Sequence, residues 1–200
     1  MTVAHAQFTP DIREWHAWLE PVKISEASTE QQAALEEGGP HVKNSEFGRL
    51  LVRDVASMRE RGKLLNQIMY GNGGLPRAER ELAATAESLR NGCVYCYSVH
   101  ARLYIQLTKQ AETIAGLGAQ GFDAALDARQ RAIVDFSVKL AATRPTADGA
   151  DVASLRSAGL TDFEILDLVH VVAIFAWATR LLQTLGSSVV IRPFTQTEEP

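Results

Sequence analysis

The longest apolar segment of the chain, Ile165 to Leu185, places the tightest constraint on the fold. It carries Asp167, His170 and Arg180 within it. A lipid core penalises such residues, so the segment reads as a buried amphipathic helix and not as a membrane span. Its start is marked by Thr161-Asp162-Phe163-Glu164, with Thr and Glu three apart as in a capping box, and its end by Gly186. A helix this apolar needs other helices packed against it.

The rest of the chain supplies them. Pro10 with Asp11, Arg13 and Glu14 behind it predicts a first helix, ended by Pro21. A second short helix is expected over Ser28–Glu37, stopped by Gly38-Gly39-Pro40, the clearest linker. From Ser45 to about Tyr70 the apolar residues Phe47, Leu50, Leu51, Val55, Met58, Leu65, Ile68 and Met69 recur mostly at three- and four-residue steps, predicting one long helix bent at Gly62. After Gly71-Asn72-Gly73-Gly74, Pro76 opens a helix to about Leu89, and Asn91-Gly92 forms a left-handed cap before a restart near Cys93. Further helices are expected to about Gln110, over Ala111–Leu117, over Asp127–Ala142 and over Asp148–Ser157. Val189-Val190-Ile191 alone looks strand-like. The fold class is therefore all-α.

A length of 200 residues with 46% hydrophobic content suits one domain with a sizeable core, read here as a helical extension over 1–44 and a helical domain over 45–200. A formal charge of -4 without a Lys/Arg cluster excludes nucleic acid as an expected partner. The first residues, Met1 to Gln7, lack the basic and apolar runs of a secretory signal, so a cytoplasmic location without membrane association is expected. Two cysteines are no disulfide framework; in a reducing compartment a Cys-x-x-Cys points to redox chemistry or metal binding.

Both cysteines fall in Asn91–His100, where Cys93, Cys96 and His100 share a helix face at spacings of three and four. A cysteine in the first turn of a helix lies near unpaired N–H groups and the positive end of the dipole, which favour thiolate. Peroxide reduction needs an activated thiol, a second thiol to form a disulfide with its sulfenic acid, and a group that moves protons. Cys96 and His100 suit the first and third roles and Cys93 the second, since residues three apart on a helix lie roughly 5 Å apart, within disulfide range. A carboxylate holding the far nitrogen of His100 would complete the relay. Glu79, Glu81 and Glu87 precede the motif; periodicity favours Glu81, beside the apolar stripe with Ala78, Thr85 and Leu89. Glu87 lines up with Arg80 and Arg90 and reads as a solvated, salt-bridging residue.

Arg80-Glu81-Leu82, the twelve positions from Glu81 to Cys93, and Cys93-x-x-Cys96-x-x-x-His100 together resemble the signature of the AhpD-like alkylhydroperoxidases of the carboxymuconolactone decarboxylase superfamily, in particular its peroxidase-related branch. The resemblance runs from about Phe47 to Leu185 and includes Arg144-Pro145 and the stretch Leu155 to Thr161. It implies an AhpD-like multi-helix fold and a thiol peroxidase with no cofactor or metal beyond its redox-active cysteine pair. It also implies a Glu81–His100 proton relay to Cys96, Cys93 as disulfide partner, and assembly into a trimer, dimer or hexamer. The implied partners are a small-molecule peroxide and a thiol or dithiol reductant protein. Where the best-known members carry a second histidine between the cysteines, this chain has Tyr95, and Thr179 stands where many relatives have Asn before the arginine of the last helix; no role is assigned to Thr179.

Tyr95 and His170 are supporting candidates, His170 lying among Leu166, Val169, Val171 and Val172 where a core or interface histidine is the plainer reading. Trp15, Trp18 and Trp177 read as packing residues, Trp177 with Phe175 also as a wall of an apolar cavity. Three other readings stand beside the peroxidase. Cys93, Cys96, His100 and Glu81 are acceptable zinc ligand types. The same disulfide suits a redox-sensing or partner-binding module without turnover. A decarboxylase-type acid–base enzyme on the same fold would need neither cysteine.

Overall fold

The computed structural model describes residues 7–195. Strand β1 (Ile12–Ala17) is followed by helices α1 (Thr29–Glu37), α2 (Gly39–Asn44), α3 (Glu46–Leu51), α4 (Val55–Tyr70), α5 (Arg77–Asn91) and α6 (Val94–Thr108). Helices α7 (Ala111–Gln120), α8 (Ala128–Ala141), α9 (Gly149–Ser157) and α10 (Asp162–Leu185) precede strand β2 (Gly186–Arg192). The fold is helical, with one small two-stranded sheet among the described residues.

Helix α5 is the axis of the bundle. Every residue from Arg80 to Leu89 is buried, and α6, α8 and α10 pack around it. Ala83, Ala84 and Ala86 let these neighbours approach closely, while Leu82 and Leu89 fill the spaces between them. Helix α10 starts with the expected capping box between Thr161 and Glu164. It has the length and hydropathy of a membrane span, but half of its most apolar window is buried within the fold, as for a core helix. Asp127 with Gln130 and Asp148 with Asp151 cap α8 and α9 in the same way.

Three expected elements come out differently. Pro10-Asp11 opens a strand and not a helix: β1 pairs antiparallel with β2, from Ile12 opposite Arg192 to Ala17 opposite Gly186, with an irregularity between Ile12 and Arg13. Asp11 takes a hydrogen bond from Thr9 Oγ1 at 2.7 Å and one from the Phe194 N–H at 3.3 Å, leaving the helix-start signal unused. Gly38-Gly39-Pro40 is a turn inside a helical run, because α2 begins at once with its proline in the first turn. The long helix over 45–70 is split at Val52–Asp54, where Asp54 accepts the Ser57 N–H at 3.1 Å and caps α4; Gly62 lies within an unbroken helix. Trp18, expected to pack, is exposed.

The two strands bring the N-terminal segment against the end of α10. Trp15 donates its indole N–H to the Leu182 carbonyl at 3.0 Å and lies edge-on to Phe47. It forms one apolar cluster with Leu50, Leu182, Cys93 and Cys96. Gly186 makes this possible, since a Cβ there would sit 2.2 Å from the Trp15 ring and 2.3 Å from the His16 carbonyl oxygen. Gly186→Ala is therefore expected to cost about 1–3 kcal/mol and to lower Tm by several degrees, with faster labelling of the cysteines. Gly62→Ala, which meets open space on α4, should instead raise stability by about 0.5–1 kcal/mol. Thermal melts of the two variants beside the parent check both signs.

Candidate functional site

The break between α5 and α6 is built by a left-handed glycine and two returning hydrogen bonds. Gly92 adopts the left-handed conformation (φ 81°, ψ 15°), its N–H returns to the Leu89 carbonyl at 3.3 Å, and the Cys93 N–H returns to Ser88 at 2.9 Å. This is a Schellman ending, and it places Cys93 one position before α6 as its N-cap, not in the first turn as expected. The Cys93 sulfur takes the capping role that an oxygen usually holds, accepting the Cys96 N–H at 3.3 Å. The two free thiols lie 2.7 Å apart.

The cysteines face different spaces. Cys96 lines a cavity of about 650 Å³ with His100, Glu81, Tyr95 and Phe175, walled by apolar residues such as Met58, Leu65 and Met69. Cys93 lines a separate pocket of about 300 Å³ beside Trp15, Leu182, Gln183 and the start of β2. Burial pushes the Cys96 thiol well above its ordinary range, and the adjacent Cys93 sulfur and the charge of Glu87 act in the same direction. The helix N-terminus opposes this without prevailing. The expected low-pKa thiol is thus a buried neutral one that needs a base to become a nucleophile.

A candidate base stands in the same cavity. His100, buried on α6, bonds through Nδ1 to Glu81 Oε2 at 2.6 Å and lies edge-on to Phe175, 4.2 Å between centroids. Glu81 has no exposed surface, and its other oxygen accepts from Arg77 Nε at 2.7 Å and from Arg77 Nη2. Burial raises the Glu81 pKa, but the charges and hydrogen bonds of His100 and Arg77 outweigh it, so the carboxyl is held below its ordinary value. The Glu81–His100 pair is therefore assembled. Among the described residues His100 makes no hydrogen bond to Cys96, and any proton passing between them needs a small movement or a bridging molecule.

Arg77 was not a candidate, although its place one turn before Glu81 is a spacing at which opposite charges meet. Glu87 is the larger surprise. It is fully buried and not solvated, accepting from Thr179 Oγ1 at 3.0 Å, Ser88 Oγ at 3.4 Å and the Asn91 side chain. Burial pushes its pKa up to about 6 against these hydrogen bonds. Thr179, given no role from the sequence, is the α10 partner of this carboxyl. Arg80 is buried too, bonded to the carbonyls of Ile68, Gly71 and Gly73 and paired with Asp167 at 3.2 Å. Tyr95 is half-buried at the rim of both pockets, and burial pushes its phenol up. His170 is exposed on α10 and lines neither pocket, so the core reading fails for it. Phe175 walls the cavity, while Trp177 is partly exposed. No group of three or more His, Cys, Asp or Glu among the described residues is arranged to hold a metal ion.

The profile of the Carboxymuconolactone decarboxylase family matches residues 56–122, which contain Glu81, Cys93, Cys96 and His100. An uncharacterized peroxidase-related protein from Silicibacter sp. TM1040 is 27% identical over 79% of this chain and 83% of its own, with a TM-score of 0.68. The chain thus carries a Carboxymuconolactone decarboxylase family segment within an AhpD-like helical fold. The alkylhydroperoxidase AhpD core of an uncharacterized peroxidase-related protein from Ralstonia eutropha JMP134 shares the fold at a TM-score of 0.71, with 22% identity over 90% of this chain and 93% of its own. The debrominase Bmp8 shares it at 0.68, with 14% identity over 84% and 90%. No curated protein matches the chain by sequence.

The two buried carboxyls of α5 predict opposite pH effects. Glu87 is raised in the folded state, so its contribution is full below pH 4.5 and is lost as pH rises through about 6. Glu87→Gln should therefore gain stability relative to the parent by roughly 2 kcal/mol between pH 4 and pH 7. Glu81 is depressed, so its contribution is present at neutral pH and lost on acidification; Glu81→Gln should destabilise most near pH 7 and least in acid. Urea unfolding of both variants from pH 4 to pH 7.5 tests the crossing.

Proposed function

We propose that the protein is a thiol peroxidase that reduces organic or hydrogen peroxides through a Cys93/Cys96 dithiol–disulfide cycle. The observation that carries this reading is the placement of Cys96 in the large cavity beside the Glu81–His100 pair, with Cys93 directly behind it. The family match over residues 56–122 and the likeness to a peroxidase-related structure support an enzyme of this general kind.

In the cycle, His100 takes the Cys96 proton, after a small movement or through a bridging molecule, while Glu81, held in place by Arg77, stabilises the imidazolium formed. The Cys96 thiolate attacks the outer peroxide oxygen. The O–O bond breaks, the alkoxide leaves with the proton from His100 as an alcohol, and Cys96 becomes a sulfenic acid. Cys93 then attacks the Cys96 sulfur. Hydroxide departs, takes the Cys93 proton to become water, and a disulfide remains. Two thiols of a reductant return both cysteines to the reduced state and are themselves oxidised to a disulfide. The Cys93 pocket offers this reductant an approach that does not cross the peroxide cavity. Tyr95 stands at the rim as a hydrogen-bond donor and not as a base.

Cumene hydroperoxide turnover with a dithiol reductant is the direct test. Cys96→Ser should lose turnover by about 100-fold or more, and Cys93→Ser should stop after one equivalent with a dimedone-trappable sulfenic acid on Cys96. Mass spectrometry of the peroxide-treated parent should show the Cys93–Cys96 disulfide. Full turnover in Cys96→Ser would sink the proposal.

A further inference from the structure

The cavity beside Cys96 carries a cation that the peroxidase cycle does not use. Arg61 projects from α4 into it and is largely shielded from water, held between the rings of Phe47 and Trp177 with its guanidinium carbon 5.7 Å from each centroid. Its Nε–H is buried and has no hydrogen-bond partner, and no carboxylate of the described residues is paired with it. The other cavity arginines differ. Arg77 is committed to Glu81 and lies over the Tyr70 ring, and Arg102 donates to the carbonyls of Pro10 and Asp11.

A half-buried guanidinium without a counter-ion carries a cost, and burial acts on Arg61 by weakening its hold on the proton. An orphaned Nε–H also occurs in Arg13, Arg49 and Arg80, but of these four only Arg61 lines the cavity beside Cys96. The two rings attract the charge of Arg61 but cannot accept hydrogen bonds from its edge, and the free Nε–H together with a neighbouring Nη–H is the pair of donors that grips a carboxylate with two parallel hydrogen bonds. Apolar side chains such as Met58, Leu65 and Leu103 make up much of the remaining wall, beside polar ones such as Tyr70 and Gln106, and Arg61 lies close enough to Cys96 to feel the charge of its thiolate form.

We propose that the substrate is an organic acid with an apolar body, whose carboxylate is held by Arg61 while its reactive group meets Cys96. This rests on the peroxidase reading only for the nature of the reactive group, which becomes a hydroperoxide a few bonds from the acid. Arg61 is then a specificity-determining residue. An alternative role, as a counter-charge to the Cys96 thiolate, would act on every substrate alike and leave no preference for acids.

The test compares cumene hydroperoxide with the hydroperoxide of 4-isopropylbenzoic acid, which has the same body with a carboxylate added. The parent should favour the acid by about ten-fold or more in kcat/KM, mainly through KM, equivalent to about 1.4 kcal/mol. In Arg61→Gln the ratio should fall to about one, and Arg61→Lys should retain part of it. Calorimetric binding of 4-isopropylbenzoate against its neutral amide separates this inference from the peroxidase reading. Tighter binding of the acid that is lost in Arg61→Gln upholds the inference even if neither hydroperoxide is turned over. A parent without preference for acid in either assay overturns it, as does a preference that survives in Arg61→Gln or a fall in rate that is equal for both peroxides.

Discussion

A carboxylate with no exposed surface must be neutralised and hydrogen-bonded where it stands, and Glu81 imposes that requirement at the centre of the bundle. Its two oxygens are divided between Arg77, one turn earlier, and His100 on the next helix. Satisfying both fixes the rotation of α5 and α6 about each other, and with it the side of α6 from which Cys96 enters the cavity. The same helix buries Arg80 and Glu87, and each draws a partner from α10, Asp167 for the first and Thr179 for the second. Three polar groups thus pin the axis helix in rotation and in height. Apolar packing alone, with so many alanines on α5, would specify neither so sharply.

The parts of this arrangement that depend on near neighbours were legible in the sequence. Asn91-Gly92 announces the break because glycine is favoured in a left-handed cap, and Glu81 stands out because its helix face also carries Ala78, Thr85 and Leu89. The capping boxes are equally local. What was not legible depends on groups far along the chain. Glu87 reads as a surface residue because Arg80 and Arg90 are at helical spacing from it, yet its α10 partner is 92 positions away. The first strand carries a good helix-start signal, overridden by a pairing with β2 that nothing near Pro10 foretells. The split between α3 and α4 was hidden because the apolar period runs on through Asp54.

The two thiols show why position and reactivity have to be read separately. A helix N-terminus favours thiolate, and spacing alone put the cysteines there. Three-dimensional packing then surrounds Cys96 with apolar side chains, and the cost of burying charge exceeds the gain from the N–H groups. A thiol stored in this way resists casual oxidation. It is reached from one cavity, while its partner is reached from another.

The pairing of β1 with β2 has a consequence for the order of events during synthesis. The bond from Trp15 to Leu182 spans 167 positions, and β2 follows every described helix. Contacts at such separation form late, after the local helical pairs such as α5 with α6 are in place. There is then an interval in which the helices surround the dithiol on most sides while Trp15 has no strand to hold it there. The motif is complete on the nascent chain well before its roof, so the cysteines are most open to water and oxidant during folding.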